Sequence, residues 1–110
     1  MIQVGPRSKI YVAIEPVDFR RGFSKLSNIV RMVLNTDPLS GHLFIFRNKY
    51  STAVKMICFD GWACWTIHAK FAQGKLSWWP EVAQINAAQL MGLLSQSSKV
   101  EVSAAFRDVF

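Results

Sequence analysis

The chain has 110 residues, enough for one domain with its own core, and 51% hydrophobic against 18% charged residues excludes an intrinsically disordered polymer. Thirteen Lys and Arg against seven Asp and Glu leave a net charge of +6, a balance that favours polyanionic partners. No apolar run approaches the roughly 20 residues of a membrane span, no secretory leader is expected, and two cysteines make no disulfide framework; the expected setting is the cytoplasm, without membrane contact.

Residues 1–8 read as a lead-in. Lys9-Ile-Tyr-Val-Ala-Ile14 is β-branched and aromatic, as a strand requires, and Pro16 ends it. Asp18 is positioned to cap a helix over about 19–34, in which Phe23, Leu26, Val30, Val33 and Leu34 recur on one face. The turn formers of Asn35-Thr-Asp-Pro-Leu-Ser-Gly41 close that helix. His42–Arg47, Thr52–Phe59 and Trp62–Lys70 read as three further strands, the last two joined at Asp60-Gly61, a two-residue hairpin signal. Leu76-Ser-Trp-Trp79 is a candidate short fifth strand. Ile85–Leu94 reads as a second helix with Asn86 and Gln89 as a capping box. Residues 95–110 contain a Ser-rich break, then Val100-Glu-Val102 and a tail. The expected fold is a single α+β domain: a mostly antiparallel sheet of four to five strands with two helices.

A two-residue turn at Asp60-Gly61 would oppose Phe59 to Trp62 and Ile57 to Cys64. One face then carries Val54, Met56, Cys58, Ala63, Trp65 and Ile67 and should be core. The other carries Lys55, Ile57, Phe59, Trp62, Cys64, Thr66 and His68, so it is either covered by a helix or free to bind. Cys58 and Cys64 fall on opposite faces and should not form a disulfide.

Catalytic chemistry has little support. Asp18, Asp37 and Asp60 each sit where a cap or turn explains them, whereas a two-metal nuclease needs converging carboxylates. The cysteines and histidines show no metal-ligand spacing, and a Cys64–His68 pair would be the sole nucleophile-base candidate. No catalytic residue, metal site or cofactor is expected.

The basic residues are more informative. Arg20 and Arg21 fall at the start of the first predicted helix, where cations oppose the helix dipole and free N–H groups attract anions, so a phosphate cradle is one reading and solvated charges near Asp18 or Glu15 the other. Arg47, Lys49, Lys55, Lys70 and Lys75 interleave with Phe46, Phe59, Trp62, Trp78 and Trp79. Basic residues among stacking rings suit single-stranded nucleic acid or a structured end; rings in a core with solvated lysines are the plainer alternative.

Asp18-Phe-Arg-Arg-Gly-Phe23, Asp37-Pro-Leu-Ser-Gly-His-Leu-Phe-Ile-Phe-Arg-Asn48, Val54-Lys-Met-Ile-Cys-Phe-Asp-Gly61, Gly74-Lys-Leu-Ser-Trp78 and the helix Ile85–Leu94 occur in order over about 9–94. This series resembles the TnpB-like accessory proteins encoded by the second open reading frame of insertion-sequence-66 transposons, which are distinct from the RNA-guided nuclease of the same name. The resemblance implies a role in transposition beside a separate transposase that carries the catalytic carboxylates. Transposon-end DNA and that transposase are the implied partners, and a homo-oligomer is a further option. The sequence departs from the family pattern at Tyr50-Ser-Thr-Ala53, where arginines and an aspartate are usual, and at Ala69-Lys-Phe-Ala72 in place of Lys-Arg-Leu-Glu. If those positions bind DNA in the family, the departures imply that this copy binds more weakly or belongs to a decaying element.

Together these readings give a non-catalytic accessory factor that binds nucleic acid, the transposase or both. Arg20, Arg21, Arg47, Lys49 and Lys55 are the expected polyanion contacts, and Phe59 and Trp62 the expected partner contacts. A protein–protein adaptor without nucleic-acid contact is the alternative; a small hydrolase or nuclease is a second.

Overall fold

The computed structural model describes residues 8–20, 22–72, 74–96 and 100–108. In chain order the elements are β1 (Ile10–Val12), α1 (Phe23–Met32), β2 (Leu43–Arg47), β3 (Ala53–Phe59), β4 (Cys64–Phe71), β5 (Gln84–Ile85), α2 (Ala87–Leu94) and β6 (Val100–Asp108). They form a six-stranded sheet in the order β5-β1-β2-β3-β4-β6. β1 and β2 pair in parallel, with α1 as the crossover that a parallel pair needs, and every other pairing is antiparallel. The α+β class and the two helices are as expected.

Two apolar clusters lie on opposite faces of this sheet. Val12, Leu43, Ile45, Val54, Met56 and Cys58 pack with Leu93 of α2, and Leu90, Leu94 and Trp79 join them. Phe44, Phe46, Ile57 and Cys64 pack with Phe23, Leu26 and Val30 of α1. With both faces covered, the central strands carry nearly unbroken apolar runs instead of an in-out alternation; Leu43 to Phe46 are all buried. The mixed face of the β3–β4 pair is therefore packed under α1, and only its ends are open. Cys58 and Cys64 are free thiols on opposite faces, as the strand arithmetic requires.

α2 begins with the expected capping box: Gln89 N–H donates to Asn86 Oδ1 and Asn86 N–H to Gln89 Oε1, both at 2.8 Å. Beyond its C-terminus, Gln96 Oε1 accepts from Ser77 N (2.6 Å), Ser77 Oγ (2.9 Å) and Trp78 N (3.0 Å), while Gln96 Nε2 donates to Trp78 O. One side chain thus binds the 77–78 backbone to the end of the helix.

Several expectations need correction. α1 spans Phe23–Met32 instead of 19–34, and its N-cap is Gly22 with no side-chain cap. Asp18 does not cap it; its carboxylate accepts from Arg20 N and the Arg20 guanidinium. Arg20 consequently precedes the helix, and its guanidinium is held by Asp18. The hairpin does not turn tightly on Asp60-Gly61: Phe59 opposes Cys64 and Cys58 opposes Trp65, with Asp60 N–H bonded to Ala63 O. Asp60 Oδ1 accepts from Trp62 N and Ala63 N, and Oδ2 from Trp65 Nε1, so the carboxylate builds a wider loop. That register slips by two residues, which preserves the face of every side chain. Leu76–Trp79 is not a strand; its Trp79 indole N–H is used on Ala13 O at 2.9 Å. Ile85 belongs to β5 and not to the helix, and the tail supplies β6, a sixth strand paired with β4.

Candidate nucleic-acid interface

At the C-terminal end of β2 two connections meet: residues 13–20, leading from β1 to α1, and the turn 48–51 between β2 and β3. Asn48 fixes that turn. Its Oδ1 accepts from Thr52 N (2.8 Å) and Ala53 N (3.1 Å), and its Nδ2 donates to Thr52 Oγ1 (2.7 Å). Ser51 takes φ 58°, a left-handed value that a short polar side chain tolerates better than a branched one. Val17 N–H donates to Arg47 O at 2.9 Å and ties the first connection to the strand.

Between the two connections lies a groove of about 830 Å³ lined by Pro16, Val17, Asp18, Phe19, Arg20, Asn48, Lys49 and Tyr50. Arg20 is 91% exposed and held by Asp18, with Nη2 to Oδ2 at 2.8 Å. Lys49 and Tyr50 are exposed, and the Lys49 Nζ lies 5.8 Å from the Tyr50 ring centroid. The groove thus carries the Asp18–Arg20 ion pair on one side, Lys49 on the other, and one open aromatic ring.

The other expected cations have different placements. Lys55 is 9% exposed; its Nζ donates to Phe19 O at 3.1 Å and lies 5.7 Å from the Phe19 ring. Arg47 donates from Nη2 to Ile14 O at 3.1 Å, and its guanidinium lies 5.6 Å from the Trp79 ring centroid on the opposite sheet face. Its Nε is buried without a hydrogen-bond partner. Each therefore braces the 13–20 connection through a backbone carbonyl, Arg47 from the α2 face of the sheet and Lys55 from the α1 face. Arg21 lies outside the described residues. Of the five, Arg20 and Lys49 come together at the groove surface.

The structure adds Tyr50 and Phe19 to the site, neither of which the sequence reading selects. A signal for Tyr50 exists: an aromatic inside a four-residue polar turn has no periodic apolar partners and so must face solvent. For Phe19 the expected helix start hides the loop. Of the two expected partner contacts, Trp62 is 82% exposed at the tip of the β3–β4 loop, whereas Phe59 is half-buried against the α1 cluster.

His68 sits opposite Lys55 on β4, with its ring 5.4 Å from Phe19. Burial, then Lys55, then Lys70, hold its pKa below the ordinary value. Asp60 accepts three donors and has its pKa lowered to about 2, chiefly by the Ala63 N–H.

No catalytic arrangement emerges among the described residues. Asp37 and Asp60 lie near the start of β2, Asp18 near its end, a strand length of roughly 17 Å away. Cys64 and His68 share a face but stand four residues apart along β4, about 13 Å. Burial pushes the Cys58 thiol up, with Asp60 adding to it, and so disfavours the reactive thiolate. No group of three His, Cys, Asp or Glu that could hold a metal is found among the described residues. No helix among them is long and apolar enough to cross a membrane.

A small α+β domain with a basic groove at one end of its sheet is the class that these features define. The chain belongs to the IS66 Orf2-like family, whose model matches residues 8–103. It is 32% identical over 99 residues to the uncharacterized protein y4hO of Sinorhizobium fredii, covering 86% of this chain and 85% of that one. It is also 42% identical over 60 residues to the uncharacterized protein y4jC of the same organism, covering 53% and 51% respectively. No solved structure matches. Family membership gives the chain an accessory role in transposition.

Proposed function

We propose that this protein is a non-catalytic accessory factor that binds the DNA of its transposon in the cytoplasm, and that the groove between residues 16–20 and 48–50 is the contact surface. The observation that carries this reading is the meeting of Arg20 and Lys49 on one groove, while Arg47 and Lys55 tie down the 13–20 connection through the Ile14 and Phe19 carbonyls. Two exposed cations on braced connections present positive charge at little conformational cost, and the net charge of +6 supplies long-range attraction. Asp18 positions Arg20 through an exposed ion pair, which is weak enough for a phosphate to compete with it.

The test is binding of labelled transposon-end DNA and unrelated DNA across a salt series. Each phosphate contact contributes about 0.9 to the slope of log affinity against log salt. The double variant Arg20→Ala/Lys49→Ala should bind more weakly and with a slope shallower by roughly two. Unchanged affinity and slope would remove the groove from the interface.

A second reading, contact with the transposase, is favoured by Trp62. An 82% exposed indole on a loop fixed by Asp60 is an uncommon arrangement in solvent, and such residues anchor protein interfaces. The leucines of α2 do not serve this reading, because Leu90, Leu93 and Leu94 pack in the core.

A further inference from the structure

Tyr50 contributes little to the packing of the fold: its side chain stands in solvent, 66% exposed, with its ring against the Lys49 ammonium. It nevertheless stands on a firmly held turn, where Asn48 makes three side-chain hydrogen bonds within residues 48–53. The Leu76 N–H donates to Ser51 O at 2.7 Å and Phe71 N–H to Thr52 O at 3.0 Å, so neighbouring segments clamp the same turn. An exposed aromatic ring carried on a firmly held turn at the wall of a groove with cations beside it is the arrangement of a base-stacking platform. We infer that the groove takes single-stranded DNA, with one unpaired base stacked on Tyr50 and its flanking phosphates on Lys49 and Arg20. This rests on the DNA-binding reading above and goes further in naming the strand state of the ligand.

Two physical points favour an unpaired strand over a duplex. In a duplex the base faces are covered by neighbouring base pairs, so Tyr50 would find nothing to stack on and only phosphates would be in reach. The groove, at about 830 Å³, is also of the size that admits a few nucleotides of a single strand. Lys49 next to the ring adds a cation close to the stacked base and its phosphate, the combination that single-strand binders use.

The experiment measures fluorescence anisotropy of the full chain with a labelled single strand of about 12 nucleotides, within the span that single-strand grooves occupy, the blunt duplex of the same sequence and the matching RNA strand. It compares the wild type with Tyr50→Ala, Tyr50→Phe and the double variant Arg20→Ala/Lys49→Ala, each checked for an unchanged thermal midpoint. The wild type should bind the DNA single strand more tightly than the duplex. Tyr50→Ala should lose roughly 5- to 100-fold on the single strand and little on the duplex, and Tyr50→Phe should retain the affinity because stacking needs the ring and not the hydroxyl. If Tyr50→Ala leaves single-strand affinity intact while the double variant weakens it, the stacking inference fails and the DNA-binding reading survives. If no DNA is bound even at low salt, both fail. Tighter binding of the RNA strand with the same dependence on Tyr50 would overturn the assignment to DNA.

Discussion

Lys55 shows how much a single residue's meaning depends on what lies above it. In the sequence it is one more cation in a basic strand; in the fold its ammonium is used on the Phe19 carbonyl and ring, beside His68. Replacing it by Met keeps the length and removes the charge. His68 should then titrate at a higher pKa, because one of the two lysines that disfavour its protonated form is gone, while burial still holds it below the ordinary value. Proton NMR of the His68 ring in Lys55→Met would read this directly, and an unmoved titration would place Lys55 too far away to matter. Sequence reasoning can identify the cations, but not tell Lys49 from Lys55. That distinction depends on where α1 begins, and the Asp18 side chain that suggests a cap is instead in an Asx-type contact with Arg20.

At the scale of elements, the central strands and both helices are legible because apolar runs and periodicity report burial directly. Less legible are the segments whose conformation is set by one polar side chain acting at a distance. Residues 76–79 look like a strand by composition, yet Gln96, 18 and 19 positions away, takes their backbone N–H groups. Gln96→Ala should cost about 1–2 kcal/mol, since several backbone and hydroxyl partners return to water instead of being stranded in the core. Hydrogen exchange at the Ser77 and Trp78 amides should accelerate well beyond that at β3, and equal protection in the variant would show that the loop holds itself. The β3–β4 loop is illegible for the same reason. Asp-Gly favours a tight turn in isolation, but the Asp60 carboxylate gathers the Trp62 and Ala63 amides and the Trp65 indole into a larger one.

For the molecule as a whole, His68 and Asp60 are the described groups with lowered pKa values through which stability depends on pH on the acid side. His68 has a folded pKa below its ordinary 6.5, so the unfolded chain binds the proton more readily; stability is complete above about pH 6.5 and declines as pH falls through 6.5 towards the folded value. Asp60 has a folded pKa of about 2 against 3.8, so its contribution is present above pH 3.8 and is lost as pH falls through about 2. Thermal midpoints followed from neutral pH down to the folded Asp60 value of about 2 should show two separate declines, and Asp60→Asn should remove its share of the lower one. A single decline unaffected by that substitution would contradict the assignment. The overall charge of +6 is visible from composition, and so is the prospect of an anionic partner. The position of the groove is not, because it is assembled from segments about 30 residues apart that only the parallel β1–β2 pairing brings side by side.

The slipped register of the β3–β4 hairpin carries a consequence for how such a chain can change length. Its loop differs by two positions from the tight turn without exchanging the inner and outer surfaces of the sheet. Insertions or deletions there are compatible with the same fold when they come in pairs. A single added residue taken up by re-pairing the strands would carry Cys64, Thr66 and His68 to the side of α2 and Trp65 and Ile67 to the side of α1, so an odd step has to be absorbed within the loop itself, whereas an even one can also be absorbed by sliding the pairing.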